Sequence, residues 1–66
     1  MVRSGDYILI TDSEHERYLQ IGEIINIDCY PNDDYIMSYK IRFADGVAEY
    51  DWHFEDCYKV LVFERN

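Results

Sequence analysis

The segment KIRFADGVAEYDW, Lys40 to Trp52, narrows the possible folds more than any other part of this chain. Leading into and through it, Met37, Tyr39, Ile41 and Phe43 alternate with Ser38, Lys40 and Arg42. Such period-two alternation marks an antiparallel strand with one buried and one wet face. Asp45-Gly46 then supplies a hairpin turn, because glycine accepts the positive φ that a tight reversal requires. A return strand is expected over roughly Val47 to Trp52. In an ideal strand Tyr50, Trp52 and Phe54 fall on one face, with Glu49, Asp51 and His53 on the other. The aromatic series reads first as interior packing; if Trp52 is instead exposed beside Tyr18, this stretch is the contact site.

Upstream, Gly5-Asp6 opens a first strand over Tyr7 to Thr11 whose two faces are both partly apolar, as for a strand between two layers. Asp12 to Gln20, DSEHERYLQ, lacks an amphipathic stripe and reads as a long loop. Gly22 precedes a second strand, Glu23 to Cys29, in which Ile25, Ile27 and Cys29 share one face and Ile24, Asn26 and Asp28 the other. YPNDD breaks that pattern as a loop, and the third strand runs from about Tyr35 to Phe43. After the hairpin, FEDCY reads as a single helical turn and KVLVFE as a short closing strand. The expectation is an all-β chain, a small five-stranded antiparallel barrel in one domain over residues 1–66. Closing such a sheet removes most exposed edges.

A chain of 66 residues buries only about 60 % of its unfolded surface, so large aromatic side chains matter to its core. Seven Tyr, three Phe and one Trp supply them. Fourteen acidic against six basic residues, a formal net charge of −8, argue against direct binding to nucleic-acid phosphates. They favour a basic partner, or a solubilising surface with no further role. No run approaches the roughly 20 apolar residues of a membrane span, and MVRSGDYILITD does not read as a secretory signal. Cys29 and Cys57 are too few for a disulfide scaffold and are expected as free thiols in a reducing cytoplasm.

Few groupings carry chemistry. His53 and Cys57 stand four apart, and Cys29 and His15 complete a zinc set on paper, but no paired C-x-x-C spacing supports it. Cys57 with His53 lacks the orienting group and oxyanion donors of a nucleophile–base pair. The acids Asp12/Glu14/Glu16, Asp33/Asp34 and Asp51/Glu55/Asp56 fit neither a calcium loop nor a phosphate cradle. No catalysis, metal or cofactor is expected.

GDYILI, IGEIINID, YKIRFADG and FEDCYKVL, in this order over residues 5–62, resemble SH3-like barrels of the bacterial, KOW and Tudor type. The layout is also similar to the small barrel subunit of photosystem I and the variable chain of ferredoxin–thioredoxin reductase, apart from the acidic long loop. The resemblance implies an SH3-like barrel with a long first loop and a short helical turn before the last strand, a scaffold that hosts many unrelated roles. The leading expectation is a non-catalytic protein-binding module, an accessory or regulatory subunit whose partner has a basic surface. Glu14 and Glu16 would steer that partner, with Tyr18, Tyr50, Asp51 and Trp52 beside them as anchors. One alternative is a small acidic DNA mimic that inhibits a basic DNA-binding protein. Another is a Tudor-like reader in which Tyr18, Tyr50, Trp52 and Asp51 cage a methylated lysine or arginine by cation–π attraction.

Overall fold

The computed structural model describes residues 2–64. Five strands, β1 (Tyr7–Ile10), β2 (Ile21–Cys29), β3 (Ile36–Phe43), β4 (Gly46–Asp51) and β5 (Val60–Phe63), form one antiparallel sheet, and a one-turn helix, α1 (Phe54–Cys57), precedes β5. The fold is all-β, as the alternation pattern predicts. The strand order is β4-β3-β2-β1-β5, which leaves β4 and β5 as the end strands of the ladder. No helix among the described residues is long and apolar enough to cross a membrane.

The interior is built from Ile8 and Ile10 of β1, Ile24 of β2, Tyr39, Ile41 and Phe43 of β3, and Phe54 of α1. Alternation on β1 and along most of β3 places these residues on one side of the curved sheet. Gly22 lies inside β2 rather than ahead of it, opposite Ile8. A Cβ there would stand 2.5 Å from Ile41 Cγ2 and 2.9 Å from Phe43 Cε1, so glycine lets the β2 backbone approach the core closely. The hairpin forms as expected, with Ala44 and Asp45 at the tip and the positive φ, 138°, on Gly46.

Three expectations of facing are corrected. The β2–β3 register slips between Ile24 and Asn26, so Ile25 does not share a face with Ile27; Ile27 turns inward with Ile24. A second slip between Asp28 and Cys29 makes Met37 the extra residue on β3, 40 % exposed, while Ile36 packs on the core. An inserted residue inverts the alternation beyond it, which a strict period of two cannot register. Third, Trp52 is not interior. The strand ends at Asp51, whose Oδ1 accepts the His53 N–H at 3.1 Å, and this turn leaves Trp52 46 % exposed. Phe54 then re-enters the core from α1, so Tyr50, Trp52 and Phe54 are not one face.

The Asp12–Gln20 segment is a loop of successive turns, folded over one open end of the core. Its anchor is His15, only 8 % exposed, packed edge-on to Tyr58 at 4.5 Å and close to Tyr50 and Phe54. The Nδ1 of His15 accepts the Arg17 N–H at 2.9 Å. Arg17 ties the loop to the hairpin tip: its guanidinium lies 4.2 Å from the Phe43 ring centroid and pairs with Asp45 at 2.8 Å. That hydrogen bond holds the Asp45 carboxyl below its ordinary range and raises the Arg17 guanidinium. Leu19, at φ 64°, closes the loop by donating its N–H to Ile10 O.

Candidate functional site

The six residues singled out from the sequence occupy three settings. Glu14, Glu16 and Tyr18 are exposed on the Asp12–Gln20 loop. Tyr50 is half-buried behind that loop, its ring 4.3 Å from Phe54 and 5.7 Å from His15. Its hydroxyl is buried with no hydrogen-bond partner within 3.5 Å among the described residues, and burial raises the phenol above its ordinary pKa against the charge and the longer approach of the Arg17 guanidinium. Tyr50 is therefore a packing residue with its face turned to the core. Asp51 and Trp52 are adjacent and exposed at the end of β4, the Trp52 ring tilted 38° against that of His53 with centroids 3.5 Å apart.

Trp52 forms one wall of a cleft of about 630 Å³ whose other residues come from the β2–β3 connection and from β3. Tyr30, Asp33, Asp34 and Tyr35 line it from that connection, and Ile36 and Tyr39 from β3. Tyr18 is not among its lining residues. The connection is rigidly built. Asp33 N–H returns to Tyr30 O across a Pro31-Asn32 turn, Tyr35 N–H bonds Asp33 Oδ1 at 2.8 Å, and Tyr30 N–H bonds Tyr35 O at 3.0 Å. Proline at the second position of a β-turn and aspartate bonding the backbone two residues on are what such turns favour. Tyr30 and Tyr35 are thereby held at the two ends of the turn, both exposed.

The electrostatics of the cleft have one sign. Its charged lining residues are Asp33 and Asp34, with neither lysine nor arginine. At its floor the Tyr39 phenol is pushed up to about 12, first by burial and then by the negative charges of Glu55 and Asp56. Those acids lie on α1, directly after Trp52-His53. The aromatic walls of Tyr30, Tyr35 and Trp52 and the two carboxylates suit a cation, whose attraction to π faces and to carboxylates adds. The same surroundings repel phosphate and carboxylate ligands.

In the sequence YPNDD reads only as a loop, which misses Tyr30 and Tyr35; the signal that could have found them is YPNDDY, a turn with an aromatic residue at each end, though nothing local indicates that Trp52 joins them. The groups considered for zinc do not converge. Cys29 and Cys57 are exposed free thiols, His15 is in the core, and no cluster of three or more His, Cys, Asp or Glu suited to a metal occurs among the described residues. Comparison with protein-family models, with curated proteins and with solved structures finds no match to this chain.

Proposed function

We propose that this chain is a non-catalytic protein-binding module of the SH3-like barrel type, which takes a basic segment of its partner into the cleft of Tyr30, Tyr35 and Trp52. The strand order β4-β3-β2-β1-β5 and the helical turn between β4 and β5 support the barrel reading. The observation that carries the binding reading is the cleft itself, aromatic on its walls and lined by acids without a base. A lysine or arginine side chain entering it meets π faces and the Asp33 and Asp34 carboxylates. The net charge of −8 draws a basic partner toward the surface at long range. Glu14 and Glu16 belong to that general field.

Calorimetric titration with a lysine- and arginine-rich peptide tests this, using a glutamate-rich peptide as control. Binding should be confined to the basic peptide. It should fall roughly thirtyfold in Asp33→Asn/Asp34→Asn, since each surface carboxylate within ~4 Å of a cation contributes ~1 kcal/mol, ~2 kcal/mol for the pair. Trp52→Ala should abolish it. Binding unaltered in folded Trp52→Ala and Asp33→Asn/Asp34→Asn removes the cleft from the account.

A second reading, a reader of methylated lysine or arginine, draws on the same three aromatics. Alkylation weakens hydration of the cation and leaves its attraction to π faces. It requires trimethyl-lysine to bind more tightly than lysine in an otherwise identical peptide, and equal affinity discards it.

A further inference from the structure

The two end strands of the sheet are unequally defended. The strand β4 carries the exposed acids Glu49 and Asp51, the kind of charge that discourages pairing at an edge. In contrast β5 is Val60-Leu61-Val62-Phe63 without a charge, and among the described residues no strand pairs with it on the side away from β1. Thr11 N–H donates to Lys59 O, and the register pairs Leu9 with Leu61 and Tyr7 with Phe63. By the alternation of an antiparallel ladder, the peptide groups of Lys59, Leu61 and Phe63 therefore face β1. Those of Val60 and Val62 point to the open edge. The outer face beside that edge is also apolar: Ile21, Leu9 and Leu61 form one cross-strand row, with Ile21 59 % and Leu61 50 % exposed.

We infer that β5 is a self-association edge, and that its occupant is β5 of a second copy of this chain, running antiparallel about a two-fold axis through Leu61. In this register Val60 of one copy and Val62 of the other exchange both N–H···O=C bonds, and the symmetric pair does the same. The two Leu61 side chains meet at a non-hydrogen-bonded position, where Cα atoms stand about 4.5 Å apart and side chains are closest. Lys59, on the same outer side as Leu61 and Phe63, falls opposite Phe63 of the partner copy. Lys59, the one cation bordering the edge among the described residues, then meets an aromatic face. The apolar row Ile21–Leu9–Leu61 continues into its own mirror across the axis. Inside, Val60 and Val62 join two half-buried strand faces.

Charge distinguishes this pairing from capture of a basic partner. Each copy carries −8, while β5 itself is uncharged and is preceded by Lys59, so the repulsion opposing association is long-range and screened by salt. Self-association must therefore tighten as salt rises, the reverse of what the cleft requires of a basic ligand. None of the residues lining the cleft lies on β5, so failure of the edge leaves the proposed binding function standing, and the converse holds.

Sedimentation equilibrium over a wide range of protein concentration tests the inference. The result expected is a monomer–dimer equilibrium that strengthens between about 0.1 M and 1 M salt, where the Debye length falls from ~10 Å to ~3 Å. Leu61→Lys, which puts like charges face to face at a position already half exposed, should weaken it by at least roughly tenfold. Ile21→Lys, on the outer face but off the edge, should leave it nearly unchanged. Hydrogen exchange at the Val60 and Val62 amides should slow as concentration rises. A chain that stays monomeric at every concentration and salt overturns the inference, whatever other strand adds to β5. So does a dimer that Ile21→Lys breaks and folded Leu61→Lys does not, since that places the contact on the sheet face.

Discussion

Replacement of Gly22 by alanine probes the packing on which the whole sheet depends. The added methyl would lie 2.5 Å from Ile41 Cγ2 and 2.9 Å from Phe43 Cε1. Carbon atoms in favourable contact are about 3.5–4.0 Å apart, so neighbours must retreat by roughly 1 Å. Ile41 and Phe43 are themselves core residues with little room to move. Overpacking of this kind costs about 1–3 kcal/mol, against which the conformational gain of alanine over glycine offsets roughly 0.5–1 kcal/mol. The net expectation is a loss of about 1–2 kcal/mol. A chain of 66 residues has a total stability on the order of 3–10 kcal/mol, so the loss is large in proportion. For a domain of this size each 1 kcal/mol lowers Tm by roughly 4–8 °C. Urea denaturation followed by far-UV circular dichroism measures it directly, with an unchanged slope as the sign that the unfolding transition is otherwise the same. Gly46→Ala supplies a contrast, because a Cβ there meets no atom within 4 Å and any cost comes from the backbone φ of 138°. A Gly22→Ala variant as stable as the parent refutes the register that brings Gly22 beneath Ile41 and Phe43.

Three further outcomes follow from the interior. Tyr50→Phe removes a buried hydroxyl that has no hydrogen-bond partner, and should leave stability unchanged or raise it by up to about 1 kcal/mol; a clear loss in thermal denaturation would mean the hydroxyl is bonded. The Tyr39 phenol, neutral in the fold, is raised from 10.0 to about 12, so its contribution is intact below about pH 10 and lost as pH rises toward 12. Stability measured across that range should decline less steeply in Tyr39→Phe, while absorbance at alkaline pH should resolve a late-titrating phenol that this variant lacks. Arg17→Ala should accelerate amide exchange at Leu19 and Gln20 without melting the sheet, since Arg17 joins the loop to Asp45 and Phe43; unaltered exchange there would show that His15 alone secures the loop.

The alternation of Tyr39, Ile41 and Phe43 and the Asp45-Gly46 turn were legible because each strand pattern is local and each turn needs a particular residue type. The two register slips were not, since a bulge depends on how two strands mate and neither Ile25 nor Met37 differs in kind from its neighbours. The interior reading of Trp52 comes from extending a strand period past Asp51, although D-W-H contains the aspartate turn that ends it and leaves Trp52 at the surface, where the contact reading places it. His15 looked like a stray ligand in a polar loop. Its burial arises from Tyr50, Phe54 and Tyr58, some forty residues away in sequence. The cleft had the same obscurity: YPNDDY and Trp52 each carry half of it, and only the pairing of β3 with both β2 and β4 brings them together.

The central claim is that a basic segment enters the cleft between the Tyr30–Tyr35 turn and Trp52. Two-dimensional ¹⁵N NMR of the labelled chain, titrated with a lysine- and arginine-rich peptide, tests it residue by residue. Trp52 is the only tryptophan, so its indole N–H is a single, unambiguous reporter. This signal and the amides of residues 32–36 should shift together and saturably, while those of Glu14, Glu16 and Tyr18 move little. Shifts centred on Glu14–Tyr18 with a stationary Trp52 indole, or no saturable shifts at all, would contradict it.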